Sequence, residues 1–166
     1  MQFTFTPMTE EDARAIQAWH YEEPYTTYNM TSDEEPNAIE EMLDQRSPHY
    51  AVRDEPNALI GFYTYGTSAH IGDTIEPGLF VEDRMVTIGL GMRPDLTGQG
   101  LGLAFVNAGL VFACKEFVPK RFRLYVFAWN ERAIRVYEHA GFKRIGLCVV
   151  PHEQEDRTFV EMQREA

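Results

Sequence analysis

Met85-Val86-Thr87-Ile88-Gly89-Leu90-Gly91-Met92-Arg93-Pro94-Asp95-Leu96-Thr97-Gly98-Gln99-Gly100-Leu101-Gly102 runs from a mostly apolar stretch of strand length into a turn with glycine at alternate positions. Proline at position 94 disfavours continuation of the strand, so the apolar run reads as a central strand over 85–92. The segment that follows, 103–117, is apolar nearly all round and too long for a strand, which predicts a buried helix closed by Pro119. Between the two, the glycines remove the Cβ atoms that block close approach. Unpaired amides at the start of the helix, reinforced by its dipole, then form a cradle for an anion such as pyrophosphate. The alternative is a tight connection that holds nothing, because turns recruit glycine for conformational reasons alone. Two nucleotide motifs are excluded: no Gly-Lys-Ser/Thr ends the turn, and a dinucleotide fingerprint beginning at Gly98 requires glycine or alanine where Leu103 stands.

Upstream, Phe3 and Phe5 alternate with polar residues as in a short strand, and Thr9 with Asp12 sets up an N-cap for a helix bearing Ala13, Ile16 and Trp19. Residues 21–36 read as loop or broken helix, followed by a helical stretch through Ile39, Met42 and Leu43. The runs 51–53 and 59–65 flank Asp54-Glu55-Pro56-Asn57, which predicts an antiparallel hairpin, and 66–83 is read as a long irregular connection. Downstream, 122–129 is aromatic and β-prone, Asn130 caps a helix over 131–139, and Gly141 supplies its left-handed stop. Strands over 142–149 and 158–162 flank the polar turn 152–156. Strands separated by helices, with hairpins at both ends, give an α/β protein with a mixed sheet.

At 166 residues the chain fits one domain, 1–166, and no repeat or linker divides it. Its 44% hydrophobic content argues for a globule, and a net charge of −11 sets it against nucleic acid phosphates and anionic lipid surfaces. Neither a basic, apolar leader nor a membrane-length apolar run is present, so the default expectation is a cytoplasmic protein. Cys114 and Cys148 lie in apolar stretches and are expected to be reduced core thiols. His20, His49, His70, His139 and His152 lack the spacing of ligand pairs, and no metal site is expected.

Two motifs resemble the GNAT superfamily of acetyl-CoA-dependent N-acetyltransferases. Thr97-Gly98-Gln99-Gly100-Leu101-Gly102 is similar to its pattern of Arg or Gln, two residues, Gly, one residue, Gly or Ala, with Thr97 departing at the first position. Asn130-Glu131-Arg132-Ala133-Ile134-Arg135-Val136-Tyr137-Glu138-His139-Ala140-Gly141-Phe142 meets every fixed position of the family's Asn-x-x-Ala-x-x-x-Tyr-x-x-x-Gly-Phe signature. The resemblance covers about 85–145. It implies a mixed, mostly antiparallel sheet of six to seven strands with about four helices, and acetyl-CoA in a cleft where the strands ending at Met92 and Trp129 splay apart. Backbone groups of Leu90, Gly91 and Met92 would pair with the pantetheine arm, the turn from Thr97 through Leu103 would hold the pyrophosphate, and Asn130 and Ala133 would complete the cofactor site.

Acetyl transfer needs a neutral amine, stabilisation of an oxyanion and a proton for the leaving thiolate. The resemblance assigns the proton to Tyr137; on spacing alone that tyrosine also fits the buried helix face with Ala133, Ile134 and Ala140. It places the oxyanion donor at the amide near Met92. The central strand carries no acid to serve as base, which leaves Glu82, just before it, to act through water, with His20 and His70 as weaker candidates. Glu22, Glu23, Tyr25 and Tyr28, with Tyr63 and Tyr65 on the hairpin, could line a pocket for a cationic amine, or form an ordinary solvated face. The expected reaction is acetyl transfer from acetyl-CoA to a small-molecule or peptide amine by a monomer or homodimer. The alternatives are a non-catalytic acyl-CoA sensor and a transferase of another acyl group.

Overall fold

The computed structural model describes every residue except Met1, Ser32, Glu34, Asp73 and Thr74. The chain order is β1 (Thr4–Pro7), α1 (Glu10–Gln17), α2 (Ala38–Met42), β2 (His49–Arg53), β3 (Leu59–Tyr65), β4 (Phe80–Glu82), β5 (Met85–Met92), α3 (Gly102–Phe117), β6 (Arg121–Phe127), α4 (Glu131–His139), β7 (Lys143–Val150) and β8 (Arg157–Glu165). The strands form one sheet in the order β1-β2-β3-β5-β6-β8-β7, and the short β4 pairs with the start of β5 beside β3. Only β5 and β6 run parallel, joined by the α3 crossover; the other pairs are antiparallel. The mixed, mostly antiparallel sheet with four helices is thus the expected architecture. The connection read as irregular contains β4 and a 3₁₀ turn at Thr67–Ala69, while its residues 73 and 74 lie outside those described.

Local signals act where the chain placed them. The Thr9 hydroxyl accepts from the Asp12 amide and the Asp12 carboxylate accepts from the Thr9 amide, closing a capping box on α1. Asn130 accepts from the Ala133 amide at 3.2 Å to start α4, and Gly141 ends it at φ +94°.

Alternation along β3 divides its side chains between the two faces. Tyr63 and Tyr65 are fully buried toward α3, donating to the carbonyls of Phe105 at 2.8 Å and Gly109 at 2.9 Å. They therefore do not line an acceptor pocket, contrary to the sequence expectation; as neighbours on one strand face they brace the sheet against the helix. Phe62, on the opposite face, meets Trp19 beside α1 and α2. The reading of α3 as buried all round also needs correction. Phe105, Val106, Gly109, Leu110 and Ala113 form its buried face, whereas Val111 is 55% exposed. Cys114 is exposed too, on the part of α3 that neither the sheet nor α4 covers, so it is not a core thiol; Cys148 is half-buried and both thiols are free.

Candidate active site

The parallel pairing of β5 and β6 is short. Met85, Val86 and Thr87 register with Arg121, Phe122 and Arg123, after which β5 pairs only with β3, while β6 is paired with β8 along its whole length. Beyond Thr87 the strands part around a cleft of about 840 Å³. Leu90, Gly91 and Met92 line one wall and Leu124, Tyr125, Val126 and Phe127 of β6 the other, with the glycine turn, α4 and the loop after α1 at the edges.

The turn presents an array of free amides. Gly98 and Gly100 take φ of +73° and +80°, a backbone that L side chains rarely adopt and that glycine permits. Among the described residues no acceptor bonds the amides of 98–104; the first bond of the helix is from the Phe105 amide to the Leu101 carbonyl at 3.0 Å. No side chain caps α3. The turn's own polar side chains are folded back, with the Thr97 hydroxyl donating to the Pro94 carbonyl at 2.8 Å and the Gln99 amide to the Asp95 carbonyl at 2.6 Å. Thr97, Gly98, Gly100 and Gly102 border the cleft; Gln99, Leu101 and Leu103 lie beside it in the turn and the first residues of α3.

Helix α4 forms the facing lip. Asn130, Arg132, Ala133, Val136 and Tyr137 all line the cleft. Positions 132 and 136 share one face of the helix. A methyl group at Gly102 would sit 3.3 Å from Val136, and one at Gly98 would sit 3.5 Å from the Arg132 guanidinium. Tyr137 has its phenol pKa raised, by burial first and then by the neighbouring Tyr28, so it stays protonated through the physiological range.

The loop after α1 reaches both sides of the cleft. The Tyr21 phenol donates to the Met92 carbonyl at 2.6 Å, and the Asn130 side chain donates to the Tyr28 hydroxyl at 2.8 Å. Tyr25 and Tyr28 line the cleft, whereas Glu22 and Glu23 do not, so the two readings the sequence left open divide between the tyrosines and the acids. Asn130 therefore both caps α4 and holds the loop, one amide hydrogen being left for a ligand.

His70 lies at the β5–β6 divergence. Its Nε2 is 2.8 Å from the Thr87 hydroxyl and 3.0 Å from the Arg123 guanidinium, which has hydrogens to donate and no lone pair to offer. Nε2 therefore accepts and the hydrogen sits on Nδ1. Burial, then the Arg123 charge, lowers the His70 pKa, which keeps the ring neutral. Glu82 stands outside the cleft lining, its carboxylate 3.5 Å from Arg123. His20 is exposed beside Glu22. Among the described residues no three His, Cys, Asp or Glu side chains gather where a metal ion could sit.

Sequence reasoning passed over Tyr21 and Arg132. The available signal for Arg132 was its i,i+4 relation to Val136 on the signature helix; for Tyr21, whose partner is 71 positions away, there was none.

Comparison with known proteins bears on the family and the fold. Residues 2–143 match the family model for the acetyltransferase (GNAT) domain. A mycothiol acetyltransferase of Propionibacterium freudenreichii subsp. shermanii is 28% identical over 120 residues, covering 72% of this chain and 35% of that protein. The chain thus spans about a third of that relative's length. Among solved structures, a chimera of Vibrio cholerae spermidine N-acetyltransferase SpeG and hSSAT superposes with a TM-score of 0.77 at 19% identity, covering 99% of this chain and 96% of the other. The Vibrio cholerae spermidine N-acetyltransferase in complex with CoA and spermine superposes at 0.69 with 18% identity, covering 99% and 95%. At these identities the structural matches speak for the fold. No helix among the described residues is long and apolar enough to cross a membrane.

Proposed function

We propose, from the premise that this chain belongs to the GNAT acetyltransferase family, that it transfers the acetyl group of acetyl-CoA directly to a primary amine without a metal. One observation carries the reading: the splayed β5–β6 cleft opens onto a run of unbonded amides in the turn 98–104. That combination suits a ligand with an amide-bearing arm at one end and a diphosphate at the other. Leu90, Gly91 and Met92 pair with the arm through their backbone, residues Thr97 through Leu103 hold the diphosphate, and Asn130 and Ala133 complete the site.

In the reaction the amine nitrogen bonds to the thioester carbonyl carbon, the Met92 amide steadies the oxyanion, and the C–S bond breaks. Tyr137 donates its proton to the departing sulfur. Glu82 takes the amine proton through water, since the His70 lone pair is already occupied by Arg123 and Thr87. The products are the N-acetylated amine and free CoA. Tyr21, Tyr28 and Trp19 give the acceptor end an aromatic lining, which favours a small or peptide amine with an apolar or cationic body. The compounds named with the relatives, mycothiol, spermidine and spermine, point to the first amine classes to screen. The free thiols suit a reducing cytoplasm, and the exposed Ile145, Leu147 and Val149 on edge strand β7 suit a monomer that can pair into a homodimer.

Calorimetric titration with acetyl-CoA, CoA and an adenine nucleotide lacking the arm tests the reading, followed by an amine panel. Arm-dependent binding and acetylation of a panel member are expected. Binding without turnover would point to an acyl-CoA sensor, preference for another thioester to a different acyl group, and no binding by folded protein would remove the proposal. Glu82→Gln with an unchanged rate would take Glu82 out of the mechanism.

A further inference from the structure

We propose that Arg132 is the side-chain cation for the cofactor's diphosphate, brought to the glycine turn from the facing helix α4. The inference rests on the acetyl-CoA reading and adds to it a residue that neither motif singles out. The turn offers amides but no charge. Its polar side chains are neutral and folded back, the Thr97 hydroxyl onto the Pro94 carbonyl and one hydrogen of the Gln99 amide onto the Asp95 carbonyl. A diphosphate entering a chain of net charge −11 is opposed by the long-range field, and backbone dipoles alone offset it weakly.

Arg132 meets that need by its position. Val136 sits against Gly102, and one helical turn earlier Arg132 lies over Gly98, so the register of α4 sets the guanidinium above the amide array. Tyr25 flanks it, with its ring centroid 4.2 Å from the guanidinium carbon. That contact orients the group without neutralising it. The adjacent acid, Glu131, is engaged with Arg135 instead, and among the described residues Arg132 forms no ion pair. Its planar donors are therefore free for two phosphate oxygens, the geometry in which arginine exceeds lysine. The other arginine of the cleft, Arg157, lies over Phe127 on β6.

The test is calorimetry on the full chain with acetyl-CoA, 3′-dephospho-acetyl-CoA and, at millimolar concentration, S-acetylpantetheine. Arg132→Ala is compared with wild type and with Arg135→Ala, which removes the same charge from the outer face of the same helix. Arg132 is exposed, and thermal melts establish that both variants fold. Losing a charge-assisted bond pair predicts on the order of tenfold or greater weakening of acetyl-CoA for Arg132→Ala. The same loss is expected with the 3′-dephospho form, none with S-acetylpantetheine, and none for Arg135→Ala. Arg132→Lys should recover part of the affinity. Unchanged acetyl-CoA binding, or an equal loss on the phosphate-free donor, would overturn the assignment. So would a loss that disappears with the 3′-dephospho form, since it would move the contact off the diphosphate. Failure of folded wild type to bind acetyl-CoA would instead bring down the acetyltransferase reading, and this inference with it.

Discussion

The Tyr21 phenol donates to the main-chain oxygen of Met92 at 2.6 Å, fastening the loop after α1 to the last residue of β5. The Asn29 side chain holds the other end of this contact, accepting from the Tyr21 amide at 2.6 Å and donating to its carbonyl at 3.2 Å. With Tyr28 bonded to Asn130, the loop is tied to both lips of the cleft and forms its roof. Tyr21→Phe keeps the ring and removes this bond, at a cost of about 1 kcal/mol for a half-buried pair. Amide exchange across residues 21–29 should quicken while β5 remains protected. Equal exchange in both proteins would show that the loop is held without the Tyr21 contact.

Tyr137→Phe tests the proton donor. Loss of a positioned acid predicts a fall in kcat on the order of a hundredfold, with the dissociation constant for acetyl-CoA unchanged. Because burial raises the phenol's pKa, the wild-type rate should show no loss of this proton up to the ordinary phenol value of about 10. An unaltered kcat would remove Tyr137 from the mechanism.

Gly109 is required by packing. A Cβ there would run into the Tyr63 ring and hydroxyl, which lie across the backbone of α3 and bond to the Phe105 carbonyl. Gly109→Ala improves helix propensity by up to about 1 kcal/mol, yet overpacking a filled core costs about 1–3 kcal/mol. A lower denaturant midpoint is expected, with little change for Val111→Ala on the exposed face. A midpoint at or above wild type would show that Tyr63 yields easily.

His49 makes the fold sensitive to acid. It is buried on β2 and donates from Nδ1 to the Ser47 carbonyl at 2.9 Å. Burial, partly offset by that bond, lowers its pKa from 6.5 to about 4. The unfolded chain therefore binds this proton between pH 6.5 and about 4 while the native chain does not. Stability from the neutral ring is complete above pH 6.5 and declines as pH falls toward 4, by about 3 kcal/mol in total. Replacement by an uncharged residue, His49→Gln, should flatten the melting temperature over that window. An equally steep decline would assign acid sensitivity to other groups.

Much of this molecule was written locally. Thr9 with Asp12, Asn130, Pro94 and Gly141 start or stop their elements through hydrogen bonds and dihedral limits that act within a few residues, so their effect is legible without a fold. The glycine turn and the α4 signature are likewise contiguous, and they named the family and the residues of two facing edges of the cleft. The errors arose where a side chain's face depended on a distant partner. Tyr63 and Tyr65 carry the same chemistry as Tyr25 and Tyr28, yet strand alternation sends the first pair under α3 and the loop sends the second into the cleft. The apolar surface of α3 gave no sign that only one side would be covered. Arg132 over Gly98 and Tyr21 against Met92 depend on how α4 and the first loop dock on the sheet. Caps, turns and motif order are short-range and were set by the sequence alone; the opening of the cleft, the neutrality of His70 and the partners of its tyrosines were decided by packing, because each depends on atoms brought together from far apart in the chain.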